Sequence, residues 1–266
     1  MNFNVSEKEI KKFVKERFQK KYPKLNFNKL WQEYKELPEF KINENIFSKV
    51  NEYNDELHYI LRLVSQFYLI KTFEAMKIDL NDPNVKEELE SGNIGTPGRI
   101  IKMWCGANTH DDRELLGGRF HKPVRLAKFP NKISEKIDNP IIKEIDLVAV
   151  CSHHLAPFGT LVSSNNNAKV VVAYIPDKFV LGISKLQRVV RYVAQRGWLQ
   201  EDLTKAIFEE ISKTAETNSV YVKLKNIEHS CEKYRGAMSQ GDGFTTEYYG
   251  GKFALDKNLL ETVRNY

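Results

Sequence analysis

The spacing of apolar residues changes along the chain from helical to alternating, and that change predicts the elements. Ile10, Phe13, Val14 and Phe18 recur at helical spacing, so an amphipathic helix is expected near the N-terminus. Ser6 and Glu9 have the spacing of a capping box at its start, and Val5 can staple onto Ile10. From Leu25 to Asn54 aromatics are scattered among charges with neither period, and no element is assigned. Leu57, Ile60, Leu61 and Val64 mark a second helix reaching Lys77, ended by Asn81-Asp82-Pro83. GNIGTPG opens the next element, and the chain then reads as loop-rich as far as Asn139.

Beyond Asn139 the period falls to two. Ile145, Leu147 and Ala149 alternate with Asp146 and Val148, a single strand leading straight into Cys151. KVVVAYIP is a second strand stopped at Pro176, with Asn165-Asn166-Asn167 as the hairpin connection between the two. Leu186, Val189, Val190 and Val193 give one helix, and Leu203, Ile207 and Ile211 another. SVYVKLKNIEHSCEKYRG then returns to extended chain. Strand, strand, helix, helix, strand predicts an α+β fold with an antiparallel sheet backed by helices.

Composition narrows the class. The 266 residues are 41% hydrophobic and 29% charged, the balance of a globular chain. No apolar run approaches the roughly 18 to 20 residues that span a bilayer, and no signal-type region opens the chain. Three cysteines (Cys105, Cys151, Cys231) do not make a disulfide framework, so a cytoplasmic location is expected. Lys and Arg exceed Asp and Glu by 41 to 35. That excess suits an anionic partner, but it is too dispersed for nucleic acid, and neither nucleic acid nor a membrane is expected. The basic run KEIKKFVKERFQKK reads as a solvated helix face.

Some charges stand where a helix disfavours them. Ser184 reads as an N-cap with Gln187 completing a capping box, which puts Lys185 in the first turn and Arg188 on its face. Thr96 and Pro97 read as a second cap and first helical position, with Arg99 and Lys102 sharing a face. Cations at a helix N-terminus oppose the macrodipole, and a bound phosphate reverses that sign. Two such starts suggest a polyphosphate ligand. In an extended chain His229, Cys231, Lys233 and Arg235 would face one side, about 6.6 Å apart in steps of two.

CSHHLAPFG packs a thiol and two imidazoles into one short stretch, Cys151 to Gly159. Either Cys151 and one histidine hold a metal while the other histidine moves protons, or a buried thiol sits beside two surface histidines. With the distant Cys231, Cys151 and His154 supply three ligands suited to a catalytic zinc with an open fourth position. HExxH is absent, as is the HxE with PCxxC pattern of base deaminases. Cys105 reads as a buried thiol, His58, His110 and His121 as surface or helix positions, and Tyr248 and Tyr249 as packing residues.

CSHHLAPFG, VAYIP, LGISKLQRVVRYVAQR, LQEDLT and EHSCEKYRG, in that order, together resemble GTP cyclohydrolase I of the zinc-dependent type. TPGRIIKMW is similar to a further segment of that family, so the resemblance covers roughly residues 55 to 255. It implies a tunnelling fold with residues 56–266 as the catalytic domain; residues 1–55, which have no clear counterpart in the family, read as an N-terminal helical extension of unknown role. It implies zinc on Cys151, His154 and Cys231, with His153 and His229 as acid/base residues. Gln200 and Glu201 match the guanine-reading pair. Ser184, Lys185, Arg188 and Arg235 match positions around ribose and triphosphate, and Arg99 and Lys102 match triphosphate contacts from a neighbouring subunit. The implied assembly is a homodecamer of two pentamers. The implied reaction opens GTP at C8, releases formate and closes 7,8-dihydroneopterin triphosphate. Ser152 departs from the family, which usually has Glu there, and so removes one unit of negative charge beside the metal. A non-catalytic purine-nucleotide-binding homologue, or a same-fold enzyme for another purine nucleotide, is the alternative reading.

Overall fold

The computed structural model describes residues 5–45, 54–107, 115–119, 127–131, 139–164, 166–236 and 243–266; His110, His121 and Asn165 lie outside these. The chain divides into two compact units, residues 1–41 with 45–122 and residues 42–44 with 123–266.

In the first unit, α1 (Glu7–Lys21) starts at the expected capping box, the Ser6 side chain and the Glu9 carboxylate each covering the other's backbone N–H. α3 (Asp55–Ala75) follows the predicted periodicity, its first turn capped by Asn54. Between them α2 (Phe27–Lys35) forms in the segment to which the pattern assigned nothing. Asn26 caps it, and one turn apart Phe27 and Trp31 face inward. Two aromatics are too few to show a period, but they complete a core with Ile10, Val14, Phe18, Ile60, Leu63, Val64 and Phe67. α4 (Gly95–Cys105) starts earlier than expected and has no side-chain cap. Thr96 is inside its first turn instead, because its N–H and hydroxyl donate to the carbonyls of Val85 and Asn84. His58 is a buried residue of α3 bonded to the Cys105 carbonyl, and Cys105 is a buried free thiol.

The second unit begins with β1 (Lys128–Pro130), β2 (Ile141–Ile145), β3 (Val148–Cys151), β4 (Pro157–Gly159), β5 (Lys169–Tyr174) and β6 (Phe179–Leu181). Then come α5 (Ile183–Ala194), β7 (Gly197–Trp198), α6 (Gln200–Ala215) and β8 (Val220–Ile227). It ends with α7 (Ser230–Lys233), β9 (Phe244–Tyr249), α8 (Lys252–Leu255) and α9 (Lys257–Arg264). β2, β5, β8 and β9 form an antiparallel sheet in that order, with Val172 opposite Val222. Both its faces are covered. Val170, Val172, Tyr174, Val220, Val222 and Leu224 join the core made with α5 and α6, while Val171, Ala173 and Tyr221 pack on Phe253, Leu260 and Val263. This is why the run VVVAY, Val170 to Tyr174, is apolar throughout instead of alternating.

Three local expectations are corrected. The single strand drawn from Ile145 to Cys151 is two strands in different sheets, since β3 pairs with β4 and, in parallel, with β7. Thr160 causes the break by accepting the Leu147 N–H and donating toward the Asp146 carboxylate in place of ladder bonds. Ser184 is not an N-cap: α5 starts at Ile183 behind Gly182 and has no side-chain cap. The extended face of His229, Cys231, Lys233 and Arg235 does not form, because 230–233 coil into α7. Glu228 explains that turn. Its carboxylate is fully enclosed, accepts the Ser164 N–H and hydroxyl, and is ion-paired with Lys233.

Burial pushes the Glu228 carboxyl up, but the Lys233 ammonium and the two Ser164 donors more than offset this, and it stays below its ordinary value. A depressed folded-state carboxyl adds stability above the ordinary carboxylate range and loses it as pH falls through the folded value. Urea unfolding at stepped acidic pH is therefore expected to show wild type losing stability over that interval, with a shallower loss in Glu228→Gln. Gly159 has φ +130, and an added Cβ would meet the Leu147 carbonyl oxygen at 2.6 Å. Gly159→Ala is expected to destabilise the second unit by about 1–3 kcal/mol, read as a lower denaturation midpoint.

Candidate active site

Three backbone features converge on one cleft of the second unit. After β3 the chain reverses tightly, with Leu155 at φ 50 and its N–H donated to the Cys151 carbonyl. The reversal swings His154 back over Cys151, leaving Nδ1 3.6 Å from Sγ. Opposite, a bulge between Leu224 and Ile227, with Asn226 at φ 54, ends β8 and delivers His229 and Cys231. The start of α6 supplies Gln200 and Glu201 between them. The cleft encloses about 260 Å³ and is lined by Cys151, His153, His154, Gln200, Glu201, His229, Cys231, Glu232 and Arg235, with Trp198, Leu199 and Phe244.

Cys151, His154 and Cys231 each offer a ligand atom, and these atoms all lie within 4.8 Å of one another. One ion with bonds of about 2.0–2.3 Å is shared by such a set with only rotamer-scale adjustment. Both cysteines are buried free thiols and His154 is exposed. Burial pushes the Cys231 thiol up and the neighbouring Cys151 sulfur pushes it further, the Arg235 cation only partly opposing them. Two thiolates so close repel strongly, and a divalent cation between them removes that cost. The donor set, two sulfurs and an imidazole, therefore fits a zinc-type ion.

His229 is held on three sides. Its ring stacks on Phe158 with centroids 4.5 Å apart, and Phe244 meets it edge-on at 6.0 Å. Its Nε2 lies 2.9 Å from the Gln200 Oε1. The Gln200 amide cannot be turned over without loss, because its Nε2 donates to the Phe244 carbonyl and the Thr246 hydroxyl. The oxygen therefore faces the ring, which assigns the neutral His229 proton to Nε2 and leaves Nδ1 bare. Burial pushes the His229 pKa down, while the Glu232 and Glu201 charges partly restore it. His153 is exposed, its ring perpendicular to that of His154 with centroids 6.1 Å apart. Adjacent in sequence, the two imidazoles meet edge to face and both line the cleft.

Other predicted residues fall elsewhere. Arg235 lines the cleft and donates its Nε to the Cys231 carbonyl. Ser184, Lys185 and Arg188 stand at the first turns of α5 and are not among the cleft's lining residues. Arg99 and Lys102 lie exposed on α4 of the first unit, with Arg99 donating to Asn93 Oδ1. Tyr248 and Tyr249 pack as expected, against Phe208 and Tyr221. Sequence reasoning missed Phe158, Phe244 and Glu232 as parts of the site. Phe158 and Glu232 sit inside the two motif stretches, so closeness to candidate ligands was the available signal; nothing local marks Phe244.

The profile of the GTP cyclohydrolase I family matches residues 80–266. A protein of Buchnera aphidicola subsp. Schizaphis graminum named "GTP cyclohydrolase 1" is 30% identical over 215 residues, 80% of this chain and 86% of its own length. Proteins of the same name from Salmonella gallinarum and Citrobacter koseri are each 30% identical, over 75% and 77% of this chain and 81% and 83% of theirs. The mixed helical and antiparallel architecture agrees with the tunnelling fold of that family. With the matched region spanning both strand ends of the cleft and the helix between them, the chain belongs to the GTP cyclohydrolase I family.

Proposed function

We propose that this chain is a zinc-dependent GTP cyclohydrolase I, converting GTP and one net water into 7,8-dihydroneopterin triphosphate and formate. The observation that carries the reading is the convergence of Cys151, His154 and Cys231 with His229 and Glu201 in one cleft. Residues 56–266 form the catalytic domain in this reading, and residues 1–55 an N-terminal helical extension. Three buried free cysteines and the absence, among the described residues, of a helix long and apolar enough to cross a membrane support a cytoplasmic enzyme.

Cys151, His154 and Cys231 are the zinc ligands. Held by these three residues, zinc would supply a Lewis acid able to lower the pKa of water toward neutrality. Glu201 accepts hydrogen bonds from two neighbouring N–H donors of the guanine edge, a match that a carboxylate makes well. Gln200 completes the base-reading pair and at the same time fixes the His229 ring. Burial lowers the His229 pKa and so favours the neutral ring, whose bare Nδ1 takes up a proton and returns it as the imidazole ring of guanine opens. His153, exposed at the rim, is the second proton carrier, serving the Amadori rearrangement of the ribose and the closing condensation. Phe158 and Phe244 cover the His229 ring and limit water around it.

The triphosphate needs cations, and among the described residues Arg235 is the one this cleft supplies. Ser184, Lys185 and Arg188 serve it from a neighbouring copy, since they do not line their own chain's cleft. Arg99 and Lys102 do the same from a further copy. α5 starts without a side-chain cap, which leaves its positive dipole end to an anion. This division supports a homo-oligomer, and the family resemblance implies a decamer of two pentamers.

Purified protein given GTP and zinc is expected to release formate and to yield a fluorescent pterin after oxidation. His229→Ala is expected to lower kcat by about 10²–10⁴-fold with zinc content unchanged. Cys231→Ala is expected to lose both zinc and turnover. Stoichiometric GTP binding with no formate in the zinc-loaded wild type would instead select a non-catalytic nucleotide-binding homologue.

A further inference from the structure

Glu232 follows Cys231 on α7 and lines the same cleft. Its Oε2 is enclosed by protein and has no hydrogen-bond partner. The cations beside it are directed elsewhere, Lys233 to Glu228 and the Nε of Arg235 to the Cys231 carbonyl. An enclosed carboxylate oxygen without a donor is unfavourable, and it is retained where something other than the chain's own donors compensates it. Glu232 is also outside the group whose ligand atoms lie within 4.8 Å of one another, so it is not positioned as a fourth ligand.

It nevertheless shares the cleft with both sulfurs and the His229 ring, directly after Cys231 on α7. Alone, a carboxylate beside two sulfurs opposes their ionisation. A divalent cation held between those sulfurs inverts the relation, because the carboxylate then attracts the ion more than it repels the thiolates. The stretch Cys151–His154 brings no carboxylate of its own to the cluster. Ser152 is absent from the cleft lining, and its backbone N–H is used on the Trp198 carbonyl.

We propose that Glu232 is a positioning residue of the metal centre. It stands outside the three ligands, strengthens their hold on a divalent cation, and supplies the negative charge that the segment from Cys151 to His154 lacks. The proposal rests on the reading of Cys151, His154 and Cys231 as metal ligands.

Zinc affinity of the full-length protein, measured by competition with a chromogenic chelator, tests it. Glu232→Gln is expected to bind zinc roughly 10- to 100-fold more weakly than wild type. Glu232→Asp is expected to recover most of that loss, and so is the double variant Glu232→Gln with Ser152→Glu. Cobalt-loaded forms of all four proteins should keep their thiolate-to-metal charge-transfer absorption, showing an unchanged ligand set. Wild-type affinity in Glu232→Gln overturns the proposal while leaving the metal site intact, and a changed cobalt spectrum overturns it in favour of direct ligation. A wild type that takes up no zinc overturns the metal-site reading and this inference with it.

Discussion

Two buried sulfurs facing each other across one cleft are the constraint on which the rest of the second unit depends. Their ionised forms are mutually repulsive, and a cation held between them would remove that cost. Bringing them together takes the positive-φ turn at Leu155, the bulge at Asn226 and the enclosed Glu228, which ties α7 to Ser164. None of these residues touches the sulfurs. Each fixes a backbone direction, and together they turn two sheet edges into one set of ligands.

Proton handling depends on a different part of the framework. The Thr204 hydroxyl donates to the Gln200 carbonyl and meets the Thr246 hydroxyl, which also receives the Gln200 amide. Through Gln200 this small network joins α6 and β9 to the His229 ring. The tautomer of one histidine is thus decided by residues on a helix and an edge strand, neither of which supplies a metal ligand. The three candidate metal ligands and the His229 ring are held by separate supports.

In the first unit, the N-terminal helices and α3 share an aromatic core. Ile60, Leu63, Val64 and Phe67 of α3 pack with residues of α1 and α2, and without those helices this apolar face would meet water. The extension therefore has at least a packing role, whatever else it does. Arg17 adds a paired contact to Glu87.

Much of this was readable from the chain. Helical periods located α1, α3, α5 and α6, the capping box located the start of α1, and the apolar run at Lys169–Tyr174 located the central strand. These features are local, so residues a few positions apart are enough to encode them. The motif stretches also named Cys151, His154 and Cys231 as one group. The break at Thr160, the coiling of 230–233 and the early starts of α4 and α5 were not readable. Each is imposed by a partner far along the chain, such as Ser164 against Glu228 or Asn84 against Thr96. The same holds for the Gln200 grip on His229 and the unpartnered oxygen of Glu232. Sequence by itself determined which groups are available and what local conformation they prefer. Which of them meet, and which are left without a partner, was decided by strand pairing and burial, because hydrogen-bond satisfaction in a closed cleft is a property of the whole packed unit.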